Sequence, residues 1–286
     1  MSNLTGSTDP TPASPPVSAV APSLPTPGES SQALDPLSTF RLDGRVAVVT
    51  GASSGLGARF ARVLHSVGAT VVVAARRRER LDALVAELPG ALAVAADLSV
   101  PEDRERLIAT TVERFGAVHV LVNNAGVGRA MSVEDEELDW FREVMEINVT
   151  AVWHLSKLAT PSMIADGGGS IVNIASMLGH VGSTPIKQAN YCASKGAVVN
   201  LTRELALQWA RKGVTVNALC PGGFPSEMTA LMESDEGSQQ FIAANSPIPR
   251  MGHDHELDGA LLLLAGPAGS FITGQSLVVD GGWTAR

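Results

Sequence analysis

Residues 46–50, Val-Ala-Val-Val-Thr, run directly into a glycine-punctuated turn and then into a helical pattern. That order admits few folds. The run is apolar and β-branched, which predicts a strand buried on both faces, as in a parallel sheet. Gly51, Ser53, Ser54, Gly55, Leu56 and Gly57 belong to the turn, and the helical pattern continues from Ala58 to Val67. Glycines at a strand-to-helix turn permit a tight backbone and a close approach to a pyrophosphate, and they leave a helix N-terminus aimed at the anion. Strand, glycines and helix come in the order a dinucleotide-binding turn requires. The spacing is T-G-x-x-x-G-x-G rather than G-x-G-x-x-G.

The rest of the chain repeats the alternation. Strands are predicted at 46–50, 70–75, 92–96, 118–122, 170–175, 214–219 and 276–280. Helices are predicted near 55–67, 79–88, 101–115, 134–164, 190–212 and 255–265. With right-handed crossovers this gives an α/β fold: a doubly wound, parallel seven-stranded sheet with helices on both faces, a Rossmann fold in a single domain. Ligands then bind beyond the carboxyl ends of the strands. The domain spans 41–286. Residues 1–40 hold nearly half of the prolines, many Ser, Thr and Ala, and no Lys or Arg. Such a segment buries too little apolar surface to offset its ordering entropy, so a disordered leader is expected there.

Tyr191 and Lys195 lie four positions apart at the start of the 190–212 helix, on one face. An ammonium beside a phenol favours the phenolate, so Lys195 is expected to lower the Tyr191 pKa from its usual value near 10. A tyrosine tuned in this way can exchange a proton during carbonyl–alcohol chemistry.

Taken together, the motifs resemble the short-chain dehydrogenase/reductase family over residues 41–286. They are Thr50 to Gly57, Asp97-Leu98, Asn123-Asn-Ala-Gly126, Asn148, Ser176, Tyr191-x-x-x-Lys195, Pro221-Gly222 and the closing run Ile272 to Gly282. The likeness extends to 3-oxoacyl carrier-protein reductases and carbonyl reductases. It implies a catalytic set. Ser176 hydrogen-bonds the substrate oxygen, and Tyr191 gives or takes the proton. Lys195 lowers the Tyr191 pKa and binds the nicotinamide ribose. Asn148 completes a proton relay by holding a water against the lysine. One departure is the separation of Ser176 from Tyr191, longer than in the commonest members, with the added length in the loop Gly182 to Lys187.

The resemblance also implies cofactor contacts. Asp97 meets the adenine amino group and the Leu98 backbone donates beside it. Asn123, Ala125 and Gly126 line the adenine ribose. Pro221, Gly222, Phe224 and Ser226 flank the nicotinamide and its phosphate. Asp97 also reads as a cap for the helix beginning at Pro101. In dinucleotide folds an acidic residue ending the second strand favours NAD. Here that strand ends in Ala75, followed by Arg76, Arg77 and Arg78, with no carboxylate nearby to repel a 2′-phosphate. NADP(H) is therefore favoured, with Arg76 as its 2′-phosphate partner, and NAD(H) remains possible.

Met177, Leu178, His180, Val181, Met228 and Leu231 are expected to line a mostly apolar substrate pocket. A hydrophobic ketone, a sugar-like polyol and a 3-oxoacyl thioester all remain open as substrates. The net charge of −8 argues against nucleic acid. No apolar run approaches the ~20 residues of a membrane span. Two cysteines, Cys192 and Cys220, show no metal-site spacing and point to a reducing, cytoplasmic compartment. His253-Asp-His255-Glu reads as a polar helix start rather than a metal site. The family pairs subunits through its long helices, so a homotetramer or homodimer is expected, with Trp140, Phe141, Trp153 and Trp209 on or near them. A protein that only senses the cofactor is the alternative from another class, and the intact catalytic set argues against it.

Overall fold

The computed structural model describes residues 35–227, 229–230 and 235–285. Seven strands form one parallel sheet: β1 (Val46–Thr50), β2 (Thr70–Ala75), β3 (Leu92–Ala95), β4 (Val120–Asn123), β5 (Gly169–Ile174), β6 (Val214–Pro221) and β7 (Ser276–Val279). Their order is β3-β2-β1-β4-β5-β6-β7. Chain direction across the sheet reverses between β1 and β4, the crevice where such folds bind ligands.

The central strands explain themselves. All five residues of β1 are buried, and they alternate between two hydrophobic layers. Ala47 and Val49 pack with Phe60, Leu64, Leu81 and Leu261 on one face. Val46 and Val48 pack with Leu107, Leu155, Met163 and Leu205 on the other. The first layer is closed by α1 (Gly55–Ser66), α2 (Arg78–Ala86) and α8 (Asp258–Ala265). The second is closed by α3 (Pro101–Phe115), α5 (Ala151–Ala165) and α6 (Ala189–Trp209). At the amino-terminal edge of β1, the ring of His119 accepts from the Val46 N–H at 2.9 Å and meets Asp166 at 2.7 Å. This ties β1, β4 and the end of α5 together.

Two predicted boundaries differ in the structure, and one helix is new. The expected single helix over 134–164 is divided into α4 (Leu138–Met145), a π-helical turn at Glu146–Thr150, and α5. The turn carries Asn148, whose side chain bonds both backbone groups of Val127, a reason for the helix to widen there. The compact unit begins at Pro36, and Pro36–Phe40 forms a 3-10 turn inside the leader predicted over residues 1–40. The rest of that leader lies outside the described residues. A helix absent from the sequence prediction, α7 (Glu236–Asn245), is started by Asp235, which accepts from the Ser238 N–H.

Candidate active site

The predicted catalytic residues converge at the carboxyl ends of β4 and β5. The Tyr191 phenol is hydrogen-bonded to the Ser176 side chain. Leu178 N–H donates to Ser176 Oγ at 3.1 Å, which leaves the Ser176 hydroxyl proton free for Tyr191. Lys195 Nζ lies 5.4 Å from the Tyr191 ring centroid and donates to the Ile174 carbonyl at 2.8 Å. The Tyr191 ring packs on Gly128, where an added Cβ would come within 2.6 Å of Tyr191 Cδ2. Asn148 and Lys195 approach one another across Gly126: a Cβ there would stand 3.3 Å from Asn148 Oδ1 and 3.4 Å from Lys195 Nζ.

The electrostatics correct one expectation. Lys195 was expected to pull the Tyr191 phenol down. Instead, burial pushes it up to about 12, with the Ser176 hydrogen bond acting in the opposite sense. The same burial lowers Lys195 to about 8. Both charged forms lose water here, and the Lys195 ammonium is directed at a carbonyl rather than at the phenol oxygen.

The Asn148 side chain is anchored within the protein. Its amide is engaged by the protein: Oδ1 accepts from Val127 N–H, and Nδ2 donates to Val127 O and to Ser194 Oγ at 3.0 Å. Ser194, missed in the sequence, in turn donates to the Tyr191 carbonyl at 2.8 Å. Its place directly before Lys195 on the inner helix face was the available signal. The Asn148 side chain therefore braces the loop after β4 against α6.

A groove of about 300 Å³ opens beside this cluster, over the ends of β1 to β4. Gly51, Ser53, Ser54, Arg76, Arg77, Asp97, Leu98, Ala125 and Gly126, all assigned from the sequence to cofactor contact, line it. Gly51 has φ of 65°, and a Cβ there would strike the Ala125 Cα at 2.8 Å, so the turn accepts only glycine. Gly57 lets α1 seat on the turn, since its Cβ would fall 2.3 Å from Gly51 O. Ser54 precedes α1 without a side-chain cap bond, so the first-turn N–H groups remain available to an anion. An elongated, anionic dinucleotide fits these features. Asp97 does not cap α3: its Oδ1 accepts from the N–H and hydroxyl of Ser99.

Other residues expected to contact the cofactor or substrate lie outside this lining. The Asn123 side chain is buried, donating to Asn173 and Ser156, while its neighbour Asn124 lines the groove and donates to Thr50 O at 2.9 Å. Strand alternation points the two asparagines to opposite sides. Leu56 packs on the core rather than lining the groove. The Phe224 ring is buried against Gly252, so any cofactor contact there is through its backbone. Gly222 is held tight to Asp280. Ser226 and Gly55 border a second, more open hollow with His253. Met177 and Leu178 follow Ser176 in a 3-10 turn that ends before His180, whose Nε2 lies 3.5 Å from Cys220 Sγ. Met228 and Leu231 lie outside the described residues.

A carboxylate does reach the ribose end of the groove, contrary to expectation. Glu227 lines it and pairs with Arg77 at 2.9 Å and with Arg80 at 2.5 Å. Arg76 also lines it, and among the described residues it makes no hydrogen bond or ion pair, although its charge helps to lower the Asp97 carboxyl. His253 and Glu256 form a capping box, and no group of three metal-ligating side chains occurs among the described residues. No helix among them is long and apolar enough to cross a membrane.

Residues 51–284 match the family model described as enoyl-(acyl carrier protein) reductase. The chain is 40% identical over 256 residues to galactitol 2-dehydrogenase (L-tagatose-forming) of Cereibacter sphaeroides, covering 88% of this chain and 99% of the relative. It is 38% identical to a 3-oxoacyl-[acyl-carrier-protein] reductase of Synechocystis, covering 84% and 97%. A gluconate 5-dehydrogenase from Burkholderia cenocepacia, solved in complex with NADP and tartrate, superposes with a TM-score of 0.82 at 34% identity, covering 87% of this chain and 99% of that one. With the parallel sheet and its order, these matches establish that the chain belongs to the short-chain dehydrogenase/reductase family of oxidoreductases.

Proposed function

We propose that the protein interconverts a ketone or aldehyde with an alcohol, using NADP(H) in preference to NAD(H) and Tyr191 as the general acid and base. The observation that carries this is the Tyr191 phenol, bonded to Ser176 and overlain by Lys195 beside the groove. The bound nicotinamide supplies or accepts the hydride. Ser176 and Tyr191 hold the substrate oxygen between two hydroxyls. In reduction the Tyr191 proton passes to that oxygen as its carbon gains the hydride. The phenolate left behind is stabilised by the Ser176 hydroxyl, whose hydrogen bond already acts to lower the phenol. Lys195, lowered to about 8, can return a proton near neutral pH. A phenol held near 12 begins each cycle protonated, which suits the reductive direction. Asn148 and Ser194 act as positioning residues, keeping Gly126 and α6 in register.

Arg76, with its guanidinium unpaired among the described residues, is the reason to favour NADP(H). For the substrate we favour a small polyhydroxylated compound. Arg129 follows Gly128, on which Tyr191 packs, and lies 4.8 Å over the Trp140 ring. Met131 N–H donates to Lys187 O at 2.7 Å, joining this loop to the 182–187 loop. The rim is thus more polar than the sequence suggests. Galactitol and gluconate dehydrogenases among the relatives support the same class. Assembly as a homotetramer or homodimer is also proposed: Trp153 on α5 and Leu207 on α6 are 44% and 79% exposed. Light scattering showing a monomer would refute that.

The test is a titration of the protein with NADPH and NADH, followed by a screen of polyols, sugar acids and a 3-oxoacyl thioester. We expect tighter NADPH and turnover of a polyol or sugar acid. Tyr191→Phe should lose about 10²-fold or more in rate with cofactor affinity kept; a variant that retains most of its rate removes Tyr191 from the mechanism.

A further inference from the structure

Glu227 stands in an anion site that the cofactor groove would otherwise present to a ligand. It follows β6, yet it meets groups carried by the segments after β1 and β2. Its Oε1 accepts from Arg77 at 2.9 Å and from Arg80 at 2.5 Å, and its Oε2 accepts from Arg77 at 2.9 Å. Ser54 bonds the same carboxylate. Arg77 also donates to Ser53 Oγ at 2.8 Å and to Ser54 Oγ at 2.9 Å. Two guanidinium groups and a hydroxyl converging on one carboxylate make the donor set that a phosphate monoester would use. The carboxyl is accordingly held at about 2, far below its usual range, chiefly by the Arg77 hydrogen bond.

We propose that Glu227 is a selectivity residue: its carboxylate occupies the Arg77–Arg80–Ser54 site in place of a 2′-phosphate, and so competes with NADP(H) but not with NAD(H). The proposal deepens the NADP(H) reading above and rests on it for the location of the 2′-phosphate. A 2′-phosphate arriving beside Arg76 brings negative charge against Glu227, which must release Arg77 and Arg80 and swing outward. A ribose with a free 2′-hydroxyl makes no such demand, and the Glu227–Arg77 pair stays closed over it. All three side chains are between 42% and 54% exposed, so the pairs are individually weak. Breaking them together is expected to change affinity on the order of tenfold, about 1.4 kcal/mol.

The experiment compares wild type with Glu227→Gln and Glu227→Ala. Each is titrated with NADPH, with NADH, and with two probes that lack nicotinamide, adenosine 2′,5′-bisphosphate and adenosine 5′-monophosphate. Removing the carboxylate should tighten NADPH and the bisphosphate about tenfold, leaving NADH and the monophosphate within about twofold. Equal tightening of all four ligands would overturn the proposal by making Glu227 a general gate, and so would no change in any. If wild type binds NADH more tightly and the variants turn to NADPH, the cofactor preference fails while the role of Glu227 stands.

Discussion

Tyr191 is the sole tyrosine of the chain, so its ionisation can be read without a competing phenol. Burial raises it from 10.0 to about 12. At about 1.4 kcal/mol for each tenfold change in proton affinity, the native environment disfavours the phenolate by about 3 kcal/mol. Near pH 11, about one-tenth of the native protein should then absorb as phenolate, against about nine-tenths for an ordinary tyrosine. Ultraviolet difference absorbance reads this directly, with circular dichroism to confirm that the protein is native. Adding denaturant at the same pH should release the missing signal. The native state keeps a proton that the unfolded chain has lost, so this group makes stability fall as pH rises between 10 and about 12. Ser176→Ala should raise the phenol further, because the Ser176 hydrogen bond is what lowers it. Lys195→Met should leave it above 10, because the ammonium is spent on the Ile174 carbonyl. A cofactor-free phenol titrating at 10 or below would refute this account and restore the simpler pairing expected from the sequence.

Other perturbations separate chemistry from scaffold. Lys195 is lowered from 10.5 to about 8, so the unfolded chain binds the extra proton between those values. The stability it contributes is present above 10.5 and lost as pH falls through 8, by about 3 kcal/mol; denaturant melts of Lys195→Met should lack that slope. Reduction should also slow as pH rises through about 8 in wild type, a limb that a kcat profile of Lys195→Met should not show. Gly128→Ala puts a Cβ 2.6 Å from Tyr191 Cδ2 and must displace the ring, with a loss of about 10²-fold in kcat and an unchanged thermal melt. His119→Leu leaves the buried Val46 N–H without its acceptor and should cost about 1–3 kcal/mol in a denaturant melt, with kcat unaltered.

What was legible in the sequence was local. The glycine turn, the buried alternation of β1 and the shared face of Tyr191 and Lys195 each follow from residues within one turn or strand. The backbone conformation alone imposes them, and the structure keeps them. Where sequence and structure part, a distant partner intervenes. The π-helical turn at Asn148 depends on Val127, and the burial of Asn123 depends on Asn173 across the sheet. The Tyr191 pKa depends on how much protein surrounds it, a quantity that four-residue spacing does not contain.

Glu227 makes the same point at the cofactor site. Judged from strand β2 alone, Arg76 to Arg78 offer a cationic edge free of carboxylate. Folding brings Glu227 from 150 residues away onto Arg77, and one carboxylate is shared by Arg77 and Arg80 while Arg76, among the described residues, makes no ion pair. On the proposal that Glu227 competes with a 2′-phosphate, cofactor preference at this site is set by two segments far apart in the chain. Exchanging the β2 arginines alone would not transplant it, because the carboxylate that answers them belongs to the segment after β6.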